Sequence, residues 1–400
     1  MPVWSSASHK KGPELNLELP KELWGIIIDL IVIPLRHPYL YCEPETFPQY
    51  QTVLWNVDTS NKIPLLEDWK RVRVVCKEWK QLAGVKPCVF LKEIGPNIHE
   101  ATSSVFIHGM GSPGLSMERI AHLRENLTTL ALGFNTSADT NATDIVLENP
   151  SVFPNLRCLS VGSTRTKRPF WKVIQDEFPN LVSLTIRLNV YGEPGRYVLK
   201  KIEILSLLLL DGFQLVCPSL KHLHFYSANS VAAHQFITAH GYLLRSFIVS
   251  FPGSIETQED VWSSTFPNLV TFGCRMGKRS HRAVPPSDHP LRHLRLTSDH
   301  DSLRPEQVMD EIDAYGFPGL VSVQIRMNDM RQGTANDLKT QCRERGIRLV
   351  EIVDGTTFVE GRTAAVSPPR SMMTYIGTAF LLCTLPCWWP CIDKDSREDD

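Results

Sequence analysis

Several groups of residues in this chain have types and spacings that suit chemistry. Gly109-Met110-Gly111-Ser112-Pro113-Gly114 matches, letter for letter, the glycine-rich loop in which backbone N–H groups converge on a pyrophosphate. Pro113 removes one of those N–H groups, and the strand expected next, Leu127 to Leu132, runs into Gly133-Phe134-Asn135 without an acid to hold a ribose. The segment therefore reads as a turn. His222 with His224, and His289 with His293, are imidazole pairs of the kind that ligate zinc, but neither has a cysteine or acid at ligand spacing. Their expected place is an exposed strand face. Cys383, Cys387 and Cys391 recur every four residues beside Trp388 and Trp389, so on a helix they share one face next to an interfacial aromatic pair. That makes them candidate acylation sites, and without a fourth ligand in the tail they do not suit a metal. Two basic clusters, Arg275-Lys278-Arg279-His281-Arg282 and Arg343-Arg345-Arg348, read either as solvated loops or as grips for an acidic peptide. The serines and remaining cysteines show no nucleophile elbow or partnered base. No catalytic residue, cofactor or metal is expected.

The elements that must position these residues come from one recurring pattern: an apolar residue, two variable, an apolar, one variable, an apolar. Leu127, Leu130 and Leu132 fit it, as do Leu156, Leu159 and Val161, and Leu181, Leu184 and Ile186. Further copies fall at Leu220, Leu244, Leu269, Leu291 and Leu320, and a last one is placed at Ile347, Val350 and Ile352. The lead-in recurs too, as Phe153-Pro154-Asn155, Phe178-Pro179-Asn180, Cys217-Pro218-Ser219, Phe266-Pro267-Asn268 and Phe317-Pro318-Gly319. Starts about 22 to 29 residues apart give the leucine-rich period, in which each unit adds a short strand and a return helix to a solenoid. Helical spacing marks Pro169 to Glu177 and Pro305 to Tyr315. The longer gap from Leu181 to Leu220 leaves two readings open: a degenerate unit at Ile204, Leu207 and Leu209, or an extended return helix.

Composition sets broad bounds. With 42 Lys plus Arg against 43 Asp plus Glu, no global field recommends nucleic acid or an acidic membrane as partner. Met1 to Lys11 carry no apolar run after a basic start, so no secretory signal is expected there and a cytoplasmic or nuclear setting is. The ten cysteines are then expected reduced, and the sequons at Asn126, Asn135 and Asn141 are expected to be chance matches.

Ahead of the repeats lie two helical stretches. Leu19-Pro20-Lys21-Glu22-Leu23-Trp24-Gly25-Ile26-Ile27 begins one that is apolar around most of its circumference, and Leu65 to Leu82 forms the second. Two helices are too few for a core of their own, so a partner is the natural cover. Leu19-Pro20-x-Glu22-Leu23 followed by Val75-Cys76-Lys77-x-Trp79-x-x-Leu82 resembles an F-box. That resemblance implies a three-helix module docking on the Skp adaptor of cullin-based ubiquitin ligases, with Leu19, Pro20, Leu23, Ile27, Val75, Cys76 and Trp79 facing the adaptor. F-box proteins often carry leucine-rich repeats behind the module. Here Pro20 and Trp79 are further apart than the family usually allows, the excess lying in an insertion at 37–62.

The resulting expectation is an α/β chain of five parts. A polar leader at 1–14 precedes the F-box-like helical module at 15–85, a leucine-rich-repeat solenoid of short parallel strands and return helices at 86–355, a linker at 356–371, and an apolar Cys/Trp tail with an acidic end at 372–400. The tail is read as self-packed or without fixed structure, as an acylated anchor, or as a membrane span. The expected function is recruitment of an unidentified protein substrate to a Skp, cullin, F-box ligase. The alternatives are a leucine-rich interaction protein unconnected to ubiquitin and a nucleotide-binding enzyme. Variable positions between the apolar ones, among them Arg157, Ser183, Thr185, Lys221, His224, Arg292, Arg295 and Gln324, are expected to project outward and read the target.

Overall fold

The computed structural model describes residues 88–91, 102–107, 125–132, 140–161, 168–186, 194–207, 213–227, 230–251, 260–275, 285–297, 305–315, 319–326 and 332–352, with the single positions Leu23 and Leu123. The F-box-like module apart from Leu23, the Gly109–Gly114 segment, and the tail with Cys383, Cys387 and Cys391 lie outside these residues. The strands are β1 (Cys88–Leu91), β2 (Ser104–Ile107), β3 (Thr129–Leu132), β4 (Cys158–Val161), β5 (Ser183–Ile186), β6 (Arg196–Val198) and β7 (Ile204–Leu207). They continue as β8 (Gln214–Val216), β9 (His222–Ser227), β10 (Ser246–Phe251), β11 (Thr271–Arg275), β12 (His293–Thr297), β13 (Ser322–Arg326) and β14 (Arg348–Ile352). Twelve of them form one sheet in chain order, all pairs parallel, while β6 and β8 pair with each other apart from it. The protein is α/β, built on this large parallel sheet.

Register explains the sequence pattern. Leu130, Leu159, Leu184, Leu205, Leu223, Phe247, Phe272, Leu294 and Val323 lie side by side across the ladder, and two residues on runs a second such row from Leu132 through Phe225 to Ile325. Side chains two apart share a face, and both rows are buried in one continuous core. Helices α1 (Thr140–Glu148), α2 (Phe170–Glu177), α3 (Val231–His240), α4 (Pro305–Tyr315) and α5 (Gln332–Glu344) run between strands. α2 buries Phe170, Trp171, Val173 and Ile174, and α4 buries Val308, Met309 and Ile312, at the steps of three and four that one helical face requires. Phe236 of α3 meets Phe225 of β9 edge-on at 5.9 Å, so these rows face the helices. α3 starts at Ser230, whose hydroxyl accepts the Ala233 N–H at 3.0 Å.

The four lead-ins that lie wholly within the described residues are four-residue turns. Leu156, Leu181, Leu220 and Leu269 donate their N–H groups to Phe153, Phe178, Cys217 and Phe266, each at 3.2 Å, with proline at the second position, where its fixed φ suits the turn. The third residue then reaches back one unit. Asn155 donates to the Glu125 carbonyl at 2.8 Å, Asn180 to Pro154 at 3.1 Å and Asn268 to Tyr242 at 2.7 Å, and Ser219 does the same to Lys200 at 2.7 Å.

The structure departs from the sequence expectation at four places. At the start of the segment read as solenoid lies β1, an all-apolar strand pairing β2 that no copy of the repeat pattern marks. The gap between Leu181 and Leu220 does hold a unit, but in another frame: Ile202, Leu205 and Leu207 fill the buried rows, not Ile204, Leu207 and Leu209. Only eighteen residues separate Ile202 from Leu220. Strands β6 and β8 stand where helices were expected, and β6 docks on α2 through Gln175 Oε1, which accepts the Val198 N–H at 2.7 Å. Trp171 of α2 closes the join against Phe213, ring centroids 4.8 Å apart. The last unit is also out of frame, because Leu349, not Val350, pairs with Val323. The cause is the end of α5: Gly346 takes φ 72°, and Ile347 donates to the Cys342 carbonyl at 2.8 Å while Gly346 donates to Arg343 at 3.0 Å. This left-handed cap uses Ile347 as its apolar clasp, and a shift of one residue exchanges the strand's faces.

The two parts of the lead-in should separate by magnitude. Phe266→Ala removes a ring packed on Phe247 and Trp262 and should cost about 3–5 kcal/mol, whereas Asn268→Ala, which loses one surface hydrogen bond, should cost about 1 kcal/mol. Urea unfolding of the two variants checks this, and equal losses would contradict it.

Candidate target-binding face

The strand positions between the buried rows define the sheet's second face. One row runs Thr129, Cys158, Ser183, Ile204, His222, Ser246, Thr271, His293, Ser322, Arg348. The other runs Ala131, Ser160, Thr185, Ser206, His224, Ile248, Gly273, Arg295, Gln324, Val350. Of the residues expected to read a target, Ser183 lies in the first row, and Thr185, His224, Arg295 and Gln324 lie together in the second. Arg157, Lys221 and Arg292 do not join them, since each stands one residue ahead of its ladder, at the lip of the strand. Lys221 is paired there with Glu203 at 2.9 Å. The Arg292 guanidinium donates to the His289 and Leu291 carbonyls, both at 2.9 Å, and fills the space left by Gly319, where an added Cβ would come within 2.9 Å of Cζ. The guanidinium thus satisfies carbonyls of its own unit and packs where this lead-in has glycine in place of asparagine or serine.

Outward projection is also corrected for part of the set. Ser183, Thr185 and Gln324 keep only 1%, 1% and 2% of their surface, whereas His224 and Arg295 are half-buried. These short side chains are recessed. The expectation of exposed histidines fails as well: His222, His289 and His293 are buried. His293 Nδ1 lies 2.8 Å from the Ser322 hydroxyl, and His224 Nδ1 lies 3.3 Å from that of Ser206. His289 belongs to the turns, where Nε2 donates to the Phe266 carbonyl at 2.9 Å and Nδ1 accepts the Leu291 N–H at 3.2 Å. His240, which no motif singled out, does the equivalent one turn earlier. Its Nδ1 donates to Phe236 at 2.9 Å and its Nε2 accepts the Cys217 N–H at 3.0 Å. The only sequence signal for this pair was their common distance of 23 residues from a lead-in.

The electrostatics of the face are lopsided. No aspartate or glutamate occupies either row. Arginines and histidines fall only between β9 and β14, and hydroxyls dominate from β3 to β7. Burial, with the Arg295 charge adding to it, pulls His224 down to about 3, so this imidazole is neutral. Gly273 stands between Ile248 and Arg295 in the row, and a Cβ on it would lie 3.0 Å from Ile248 Cγ1 and 3.3 Å from Arg295 Cβ. Burial pushes the Cys158 thiol up to about 12 against the opposing effect of the Ser183 hydroxyl, which keeps it protonated and a poor nucleophile. Among the described residues no group of three His, Cys, Asp or Glu side chains could hold a metal ion, and no helix is long and apolar enough to cross a membrane. The rows thus carry hydroxyl and imidazole groups that are mostly buried, with exposed charge only at Arg348 and part of Arg295.

No family model matches the sequence, and no curated protein is similar enough to it to count as a relative.

The two depressed imidazoles fix how stability should depend on pH. His224 and His240 are both held below their ordinary value, chiefly by burial, and a proton on His240 Nε2 would point at the Cys217 N–H. The unfolded chain therefore takes up protons that the folded chain refuses, so their contribution is complete above about pH 6.5 and is lost as the pH falls below it. Between pH 7.5 and 5.5 His224 alone should account for a loss of about 1 kcal/mol. Denaturant titrations at the two values should show the loss in wild type and a smaller one in His240→Gln. Stability that rises towards pH 5.5 would contradict the assignment of neutral imidazoles.

Proposed function

We propose that this chain is a bridging protein: a leucine-rich solenoid that holds a target on its strand face, carried behind an F-box-like module that docks on a Skp-type adaptor and through it on a cullin. The observation that carries the target-binding half is the division of the sheet into two buried apolar rows and two rows of hydroxyl, imidazole and guanidinium groups without a carboxylate. Such a face fits recognition. The docking half rests on the resemblance of Leu19-Pro20-x-Glu22-Leu23 and Val75-Cys76-Lys77-x-Trp79 to an F-box, and on Leu23, which is helical and 43% exposed. A leucine of that exposure on so apolar a helix suits a partner surface. Bridging raises the local concentration of the target beside the ligase's charged ubiquitin carrier, so the chain supplies position and not chemistry.

Leu23→Asp places a carboxylate in the adaptor interface. It should abolish capture of the chain by immobilised Skp adaptor, because an unpaired buried charge costs several kcal/mol, while the far-ultraviolet circular dichroism of the full chain stays unchanged. Capture of wild type and variant to the same extent would sink the docking half. Failure of wild type to bind would favour a leucine-rich interaction protein with no link to ubiquitin.

A further inference from the structure

We infer that the open edge of the sheet is closed by the chain's own tail, with 374–380 adding a further parallel strand beside β14. This goes beyond target and adaptor binding and depends on neither. Among the described residues β14 has a strand on one side only. Arg348 donates its N–H to the Val321 carbonyl, so the alternation along a strand turns the N–H and C=O groups of Leu349 and Glu351 to the open side. The same edge lacks apolar cover. Leu349 belongs to the row in which Leu223, Phe247, Phe272, Leu294 and Val323 are buried, yet it is itself only half-buried, as are Ile347 and Val350 beside it. Outward backbone groups flanked by partly exposed apolar side chains are what a further strand pairs with.

The sequence beyond β14 supplies the occupant. Strand starts from β9 onward fall 22 to 29 residues apart, the extremes being Thr271 to His293 and His293 to Ser322. Adding 22 and 29 to the start of β14 at Arg348 gives 370 and 377, and the 21 residues 372–392, which carry no charge, begin inside that window. β13 and β14 pair at a constant offset of 26, Val323 with Leu349 and Gln324 with Val350. The same offset sets Thr374 beside Arg348, Tyr375 beside Leu349 and Ile376 beside Val350, so the half-buried end of the row gains an aromatic neighbour. Tyr375, Ile376, Thr378 and Phe380 are residue types that suit a pleated surface, and Pro386 stops any strand that runs on. The connection is long enough. It would span 353–373, 21 residues, as many as 327–347 between β13 and β14, whereas a parallel crossover needs about a dozen. Its Ser, Pro and Ala content does not suit a return helix, but β6 and β8 show that this fold also uses extended returns.

The test reads hydrogen exchange at single amides of β14 in the full chain, in a chain ending at Ser371, and in the full-length variant Ile376→Pro. The Leu349 and Glu351 amides should be protected in the full chain, and the truncation should speed their exchange by about tenfold or more. Ile376→Pro removes an N–H that the shared offset aims at the Leu349 carbonyl, so it should have the same effect. Thr384→Pro lies beyond the added strand and should leave both rates within about twofold of wild type. The Val350 amide, which faces β13, should stay protected throughout and reports that the sheet itself is intact. If truncation exposes Val350 as well, the two full-length proline variants decide. Fast exchange of Leu349 and Glu351 in the full chain, or rates that Ile376→Pro leaves unchanged, would overturn the inference. So would protection that disappears on dilution of a chain that light scattering shows to be dimeric, because the edge would then belong to a second copy. Binding of the full chain to phosphatidylcholine vesicles with both amides exchanging fast would overturn it too, by giving the tail to a membrane. Neither adaptor nor target is present in the assay, so its outcome and that of adaptor capture are independent.

Discussion

The chain holds together through a turn that is used again and again. Phe-Pro-Asn places an aromatic ring in the core, closes a four-residue bend, and sends an amide side chain to a carbonyl of the preceding unit. The three functions are inseparable, because proline fixes the φ that aims both neighbours. Where a unit lacks one component the structure substitutes another. Serine replaces asparagine at Ser219, cysteine replaces phenylalanine at Cys217 with His240 accepting its N–H, and at Gly319 the Arg292 side chain comes in from the previous unit. A parallel sheet of four- to six-residue strands has few ladder bonds per strand, so the turns set the register that the ladders then keep.

From that constraint the helix layer follows. Turn-to-turn distance decides what fits between strands: long spacings admit α2, α3 and α4, whereas the eighteen residues from Ile202 to Leu220 leave space only for a short extended return. β6 and β8 then pair with each other and seal against Trp171 and Phe213 instead of packing as helices. A single core still runs past them, from Val105 to Cys342. Units of different length can be mixed because each has only to match its neighbours' two apolar rows.

Much of this was legible in the sequence, for reasons that individual residues make plain. Period and strand positions from Leu127 to Ile325 follow from leucines that can be buried on one face only, and α2 and α4 from apolar steps of three and four. The unit at Ile202 was misframed because Leu205-Ser206-Leu207-Leu208-Leu209-Leu210 offers several frames to any apolar pattern. Ile347 misled for another reason: it is apolar on account of the helix cap and not of the strand. β1 has no lead-in before it and so gave no signal. At the face, alternation was enough to group Thr185, His224, Arg295 and Gln324 in one row. It failed for Arg157, Lys221 and Arg292, since alternation begins only where the strand does, and each of these stands just ahead of it. Burial of the histidines depends on contacts between units and has no local signature.

The two faces of the sheet answer to different demands. On the helix side every substitution meets a packed neighbour on the next strand, and the residues are correspondingly uniform: leucine, phenylalanine, valine and isoleucine, with one cysteine, Cys274. On the other side they vary from threonine to arginine within a single row, and the hydroxyls of Thr129, Ser160 and Thr185 are buried there without a hydrogen-bond partner. Stability alone would favour alanine or valine at Thr129, Ser160 and Thr185, because an apolar group of similar shape carries no desolvation penalty. A cost borne at three positions on neighbouring strands, in the rows that also gather the arginines and hold no carboxylate, sets this side of the sheet apart from the helix side. The turns hold both sides in one register, so the polar rows are fixed by the same constraint that aligns the apolar ones.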